Sequence, residues 1–313
     1  MEQEDLNCSL VGVCDLFDNH AELAIDASKN DLRPGGKPRK TAIRYRSYKE
    51  MLARGDVDAV IVATPDHWHS RITIDAAKAG KHVYCEKGLT RTFQEAIDVY
   101  DTIKETGVVL QLGHQNRQVE ANDKAKQIID KGLLGPVNLV ELTTNRNSPW
   151  GAWVWSIHKD ANRNTIDWDT FQEPSPNKIP FGEEALKRYF RWRCWYDYGT
   201  GLSGDLFSHD YDQLNQIMGM GIPKYASSSG GIYFYKDGRD VRMCGMLRWS
   251  ILTKILPYYT VLLFQVTAQE VIESWGMTRP WSWVACLTQV VWVGSGSLQT
   301  MSLLNIRKEL KME

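Results

Sequence analysis

Short apolar runs alternate with amphipathic stretches over residues 9–114, the pattern of strand-helix-strand units feeding a parallel sheet. The runs 10–14, 59–63, 82–85 and 108–112 each predict a strand. Between them, 68–79 and 92–105 repeat apolar residues at helical spacing, and Gly80 and Gly107 stand where a helix closes. This is half of a doubly wound fold, entered in the middle. The stretch 31–40, with Pro34, Gly35, Gly36 and Pro38, reads as a basic surface loop.

After Gln118 the rhythm changes to a helix over 122–131, a Gly135-Pro136 turn and a strand over 137–144. Residues 145–189 are rich in Trp, Asn and Pro and poorly periodic; loops of that length tend to be functional, and this one is expected to cover a substrate. A helix over 205–218 and a strand over 226–235 follow. The expected fold class is α/β: an incomplete Rossmann-type parallel sheet, without its first strand and glycine loop, followed by an α+β domain with an open, largely antiparallel sheet. The expected boundaries are 1–118 for the partial dinucleotide domain, 119–241 for the substrate domain and 242–313 for an anomalous tail.

Composition narrows the function. With 313 residues, 43% hydrophobic, the chain can bury two cores without staples. A net charge of -1 gives no electrostatic footprint for nucleic acid or anionic lipid, so neither is an expected partner. The start, Met-Glu-Gln-Glu-Asp, has no basic or apolar leader pattern, and the expected setting is cytoplasmic, with any export signal lying upstream of Met1. Cys8, Cys14, Cys85, Cys194, Cys244 and Cys286 form no Cys-x-x-Cys pair or zinc-spaced cluster, so reduced thiols and no metal are expected.

The candidate chemistry gathers at strand ends. Asp15 closes the run 10–14. An acidic residue there can accept both ribose hydroxyls of an adenosine and repels an extra phosphate, which favours NAD over NADP; the alternative is a cap for the following helix. Only six residues, Glu2 to Asn7, lie between Met1 and Cys8, with no Gly-x-Gly-x-x-Gly among them, so the pyrophosphate cradle is expected to be missing. Ala63, Thr64 and Pro65 end a strand, and Asp66, His67, Trp68 and His69 begin a helix, at the edge where open α/β sheets bind ligands. A metal held by His67 and His69 lacks a third ligand nearby, and Asp66 reads as a helix N-cap. Glu86 and Lys87 follow another strand; a cation there can hold a substrate hydroxyl and lower its pKa, or simply sit in solvent. Asp205 and His209, four apart, share a helix face and can meet one substrate, or form a surface pair.

Leu10-Val11-Gly12-Val13-Cys14-Asp15, Val62-Ala63-Thr64-Pro65-Asp66-His67-Trp68-His69, Val83-Tyr84-Cys85-Glu86-Lys87-Gly88-Leu89-Thr90 and Gly113-His114-Gln115-Asn116-Arg117-Gln118 occur in this order. Together with the glycine-rich turn from Gly199 that leads to Asp205 and His209, they resemble the glucose-fructose oxidoreductase, inositol dehydrogenase and MocA family. The resemblance implies an NAD(P)-dependent oxidoreductase of a sugar, polyol or glycoside. It implies that His209 is the general acid/base, that Lys87 polarises the reacting oxygen and touches the nicotinamide ribose, and that Asp205 orients a neighbouring hydroxyl. Asp15, Ala63, Thr64, Pro65, His67, His69, Glu86, Lys87 and Gln115 are the expected cofactor contacts. Arg117, Trp192 and Arg193 are candidates for gripping the substrate, and packing or surface roles remain open for each. The family follows its Glu-Lys pair with proline, where this chain has Gly88. Two other readings share these residues: an NAD-dependent glycosidase without net redox change, and a non-catalytic remnant.

From Met243 onward tryptophans crowd in and no aspartate appears. Codons for 249–256 and for 275–284 can be chosen so that one shared offset yields Glu-Tyr-Pro-Asp-Lys-Asp-Leu and Gly-Asp-Asp-Glu-Ala-Met-Glu-Leu-Gly, text similar to the family's. The expectation is a change of reading frame near Val241, which disfavours the family's homo-oligomer.

Overall fold

The run Ala59–Val62 has no polar side chain and too few residues for a helix, and it becomes an outer strand of a three-stranded parallel ladder. The computed structural model describes residues 8–29, 41–135, 137, 139–145, 152–233, 235–242, 244–252, 257–265, 291–294 and 297–299. In chain order the elements are β1 (Gly12–Cys14), α1 (Asp18–Ser28), β2 (Ile43–Tyr45), α2 (Tyr48–Leu52), β3 (Ala59–Val62), α3 (Asp66–Lys78), β4 (His82–Glu86), α4 (Phe93–Thr106) and β5 (Leu110–Gly113). Then come α5 (Glu120–Asp130), β6 (Leu139–Asn145), α6 (Trp168–Phe171), α7 (Glu183–Phe190), α8 (Ser208–Met218), β7 (Tyr225–Gly231), β8 (Cys244–Leu252), β9 (Pro257–Gln265), β10 (Val291–Gly294) and β11 (Ser297–Gln299).

The chain divides into two units. The first holds residues 1–113 and 155–200, the second 114–154 and 201–313, so the chain crosses between them three times rather than once near residue 118.

In the first unit, Val60 and Val62 of β3 and Val83 and Cys85 of β4 turn to one side and meet Leu52, Val57, Trp68, Ile72 and Ala76. Each large apolar side chain buried this way contributes about 1.5–3 kcal/mol. α4 starts on a capping box, in which Thr92 and Glu95 satisfy each other's backbone amides, and stops at Gly107 with φ 69°, a left-handed turn that a side chain would strain.

The expected fold class needs correction. In the first unit the strands are all parallel but form two separate ladders, β1·β2 and β3·β4·β5, not one sheet. In the second unit a six-stranded sheet of order β11-β10-β6-β9-β8-β7 is mixed, with a parallel pair at its middle that the expectation did not include. Its middle pair, β6·β9, is parallel from Leu139↔Tyr259 to Asn145↔Gln265, while its other pairs are antiparallel. Strand direction depends on how the chain returns to the sheet, and an alternating apolar pattern is the same read either way.

Residues 155–200 also depart from the expected substrate cover. Trp168, Phe171, Ile166 and Tyr198 are almost fully buried, with Trp168 stacked on Phe171 at 5.2 Å between ring centroids, and they form part of the core of the first unit. Residues 146–151, the loop 31–40 and most of the tail lie outside the described residues; the described part of the tail forms β8 to β11. No described helix is long and apolar enough to cross a membrane.

Candidate functional site

Parallel pairing in register brings strand ends to a common edge. Val62 pairs with Cys85 and Glu86 with Gly113, so the turns after β3 and β4 emerge side by side. That edge carries Ala63, Thr64, Pro65, Glu86 and Lys87 in the first unit. Ala63 is exposed, and Thr64, Pro65, Glu86 and Lys87 are half-buried. Glu86 accepts from the Tyr84 hydroxyl at 3.3 Å and from the Lys87 backbone amide at 3.4 Å.

The first turn of α3 ties these turns together. His69 Nδ1 lies 3.0 Å from the Gly88 carbonyl and Nε2 lies 2.6 Å from the Thr64 carbonyl. Asp66 does not cap the helix; Pro65 occupies that position. The Asp66 carboxylate, 2% exposed, instead accepts from the Thr200 amide at 2.9 Å and from the Thr200 hydroxyl at 2.6 Å. The His67 amide donates to the Tyr198 carbonyl at 3.2 Å. Three chain segments, after β3, after β4 and at 198–200, are thus held by one helical turn. Asp66 and Thr200 were missed by sequence reasoning because 134 residues separate them, and a local cap is the natural reading of Asp after Pro. Asp66→Ala is expected to lower stability by about 2 kcal/mol, since it removes the buried acceptor of two half-buried Thr200 donors. Thermal unfolding measures this, and a loss no larger than that of a surface alanine would contradict the contact.

His67 and His69, expected beside the cofactor, are 2% and 1% exposed, and both rings face backbone carbonyls. His67 Nε2 lies 2.7 Å from the Phe171 carbonyl, which also accepts from Trp68 Nε1 at 3.0 Å. Burial above all pushes the His67 imidazole down to about 3, so at neutral pH it is an uncharged strut. What the two histidines offer a ligand is the shape of the turns they hold.

Asp15 follows β1 and is 36% exposed. It accepts from the Phe17 amide at 2.8 Å, and its other oxygen lies 3.7 Å from His20 Nδ1. Burial raises its carboxyl above the usual range, against the lowering effects of that amide, His20 and Arg44. Burial, with the Asp15 charge second, also pushes the Cys14 thiol up to about 11, and burial first pushes Cys85 up to about 12; neither is an activated nucleophile. Trp192 and Arg193, both half-buried, form a cation-π pair at 4.1 Å.

In the second unit the helix expected over 205–218 is split. Residues Ser203–Phe207 form a π-helical turn, and α8 begins only at Ser208. Wider winding breaks the four-residue register that would align Asp205 with His209 on an ordinary helix, and such turns recur at functional sites. Asp205 is buried and His209 half-buried. The His209 ring meets the His114 ring edge-on at 5.4 Å. His114 Nδ1 is 3.7 Å from Asp212 Oδ1, which also accepts from Arg117 at 3.2 Å. Arg117 is therefore engaged by Asp212, and Gln115 beside it is exposed. Among the described residues no group of three or more His, Cys, Asp or Glu side chains is placed to hold a metal ion.

Residues 6–114 match the model of the oxidoreductase family with an NAD-binding Rossmann fold, GFO_IDH_MocA. The chain is 37% identical over 194 residues to levoglucosan dehydrogenase of Pseudarthrobacter phenanthrenivorans, a match covering 59% of this chain and 41% of that protein. It is 36% identical over 105 residues to 2,7-anhydro-N-acetylneuraminate hydratase of Escherichia coli, covering 34% of this chain and 28% of the other. Among solved structures, the WlbA dehydrogenase of Bordetella pertussis, in complex with NADH and UDP-GlcNAcA, superposes with a TM-score of 0.60 at 19% identity, over 83% of this chain and 60% of that one. The matches span less than half the length of these curated relatives. Neither the likenesses nor the fold give evidence of a truncation or an altered reading frame.

Proposed function

We propose that this chain, whose residues 6–114 align it with the Gfo/Idh/MocA-like NAD(P)-binding oxidoreductases, oxidises a hydroxyl of a sugar, polyol or glycoside with NAD, in a cytoplasmic setting. The observation that carries the reading is the edge built by β3 and β4, where Lys87 stands at a strand end beside a turn locked by buried side chains. Asp15, the backbone of Ala63, Thr64 and Pro65, and the side chains of Glu86, Lys87 and Gln115 would hold the cofactor. Asp15 fits an adenosine ribose by its place after a parallel strand and its partial exposure.

When bound, nicotinamide supplies the hydride acceptor. The remaining work falls to this chain's own residues. Lys87 donates a hydrogen bond to the substrate oxygen and stabilises charge growing there. His209 removes the proton from that oxygen as the C–H hydride leaves, so a carbonyl forms and the proton rests on the imidazole. Asp205 orients an adjacent hydroxyl, and Arg117, Trp192 and Arg193 line the substrate.

Nicotinamide absorbance with a panel of sugars, polyols and glycosides tests the proposal at saturating NAD. Turnover is expected to fall about 100-fold or more in Lys87→Met and in His209→Ala. Turnover in both variants equal to that of the unmodified chain would sink it. The hydratase relative favours a second reading, a reaction without net redox change; release or hydration of an unsaturated or glycosidic substrate with no net NADH would mark it.

A further inference from the structure

We infer that His114 is a positioning residue for the proposed reaction: it holds the imidazole of His209, the general base of that reading, in the orientation from which it takes the proton. Both residues lie in the second unit. On α8, His209, Asp212 and Gln216 are spaced so that they share one helix face, and each meets the segment 114–122. Gln216 donates to the Arg117 carbonyl at 3.0 Å and accepts from the Asn122 side chain at 3.2 Å. One turn earlier, Asp212 Oδ1 accepts from the Arg117 guanidinium at 3.2 Å and lies 3.7 Å from His114 Nδ1. At the start of the helix the His114 ring meets the His209 ring with 5.4 Å between centroids and 66° between planes, the edge-to-face arrangement that aromatic rings prefer.

An imidazole turns about two side-chain bonds, and its nitrogen reaches a substrate oxygen in only part of that range. The polar contacts of Gln216 and Asp212 fix α8 against 114–122, and a ring standing against His209 then limits its rotation. His114 is itself restrained. It follows β5 directly, and its carbonyl accepts from the Arg117 amide at 3.2 Å as a single 3₁₀ turn begins. Its side chain is 12% exposed, beside an Asp212 side chain 16% exposed. At 3.7 Å that carboxylate is too far for a hydrogen bond, and it orients the His114 ring electrostatically. Histidine thus brings two things to this place, a flat ring against His209 and a nitrogen edge toward Asp212. The catalytic consequence rests on the oxidoreductase reading, whereas the ring contact does not.

Steady-state kinetics of the full chain test the role, with NAD and the best-turned-over sugar, polyol or glycoside of the panel. In His114→Ala kcat is expected to fall about 10- to 100-fold with KM within about twofold of the unmodified value, because the ring's orientation matters at proton transfer and not in binding. His114→Phe, which restores a flat ring without the nitrogen, is expected to regain part of that loss. His114→Leu, of similar bulk but not flat, takes the place of alanine if the alanine variant does not fold. An unchanged kcat, a rise in KM alone, or a phenylalanine variant no faster than the non-aromatic one overturns the positioning role. Ring-proton NMR with isotope-labelled histidine reads the geometry without turnover: cross-peaks between the His114 and His209 rings are expected in the unmodified chain, and their absence overturns the contact. If the unmodified chain turns over no member of the panel, or His209→Ala keeps its rate, the oxidoreductase reading falls and the catalytic role with it, while the cross-peaks still decide whether His114 restrains that ring.

Discussion

Gly88→Pro, which would rebuild the Glu-Lys-Pro sequence usual in the family this chain resembles, is expected to destabilise the protein by more than about 3 kcal/mol. Gly88 has φ +47°, whereas proline fixes φ near −65°, so the ring cannot be accommodated without remaking the turn. The space is also taken: a Cβ here would stand 2.8 Å from Asp66 Oδ2, 2.9 Å from its Cγ and 3.1 Å from the Thr200 hydroxyl. Turning the chain would swing away the Gly88 carbonyl that faces His69, and it would re-aim Lys87, the preceding residue. Gly88→Ala keeps the freedom to reach positive φ at a cost of about 1–2 kcal/mol, with the Asp66 clash added. Melting temperatures should therefore fall in the order unmodified, Ala, Pro. For a unit of this size the proline variant should melt roughly 6–12 °C lower. A proline variant as stable as the unmodified chain would mean that Gly88 does not hold the left-handed conformation. Asp66 and Gly88 read as one adaptation, in which glycine leaves room for a buried carboxylate.

The residues between 59 and 113 were legible because their signals are local. Alternating Val60 and Val62 face inward, the Thr92–Glu95 box starts a helix and Gly107 ends it, all within a few residues. Lys87 was legible for the same reason, as a cation directly after a strand. What the sequence concealed depends on partners far away or on details of winding. Trp168 and Phe171 sit on a four-residue helix too short to show a period, and only burial against Tyr198 and His67 identifies them as core. Asp205 and His209 stand four apart in the sequence, but whether four residues make a turn is set by backbone hydrogen bonding, and here the turn is π-helical. The parallel pairing of β6 with β9 joins strands separated by more than a hundred residues, and nothing in either strand states its direction. His67 and His69 carried a pattern that suits a ligand site, yet long-range packing made one a strut on Phe171 and set the other between two turns.

Replacing His67 is expected to flatten the acid side of the stability curve by an amount large enough to measure directly. In the unfolded chain an imidazole takes up a proton below its ordinary value of about 6.5, whereas in the fold burial delays this to about 3. Between those values the unfolded state binds more protons, so stability rises with pH there. His67's contribution is complete above about 6.5 and is lost as pH falls toward 3. At 1.36 kcal/mol per unit the whole interval corresponds to at most about 5 kcal/mol, and the step from about pH 6.5 to 5 to roughly 2 kcal/mol. The upper step is the cleaner one, because most carboxylates stay ionised above pH 5. Asp15 works in the opposite sense: its raised carboxyl is protonated earlier in the fold than in the unfolded chain, which favours the fold as pH falls. Comparing variants removes that contribution. His67→Gln keeps an N–H that can donate to the Phe171 carbonyl and does not titrate, so denaturant midpoints for it should vary less between pH 6.5 and 5 than for the unmodified chain, by roughly 2 kcal/mol of extrapolated stability. Parallel curves for the two proteins would show that His67 is protonated in the fold as readily as outside it. The uncharged strut beneath the turns of the candidate site would then be excluded, and with it the physical reason for finding a histidine, rather than a residue that cannot titrate, beneath a proposed cofactor edge.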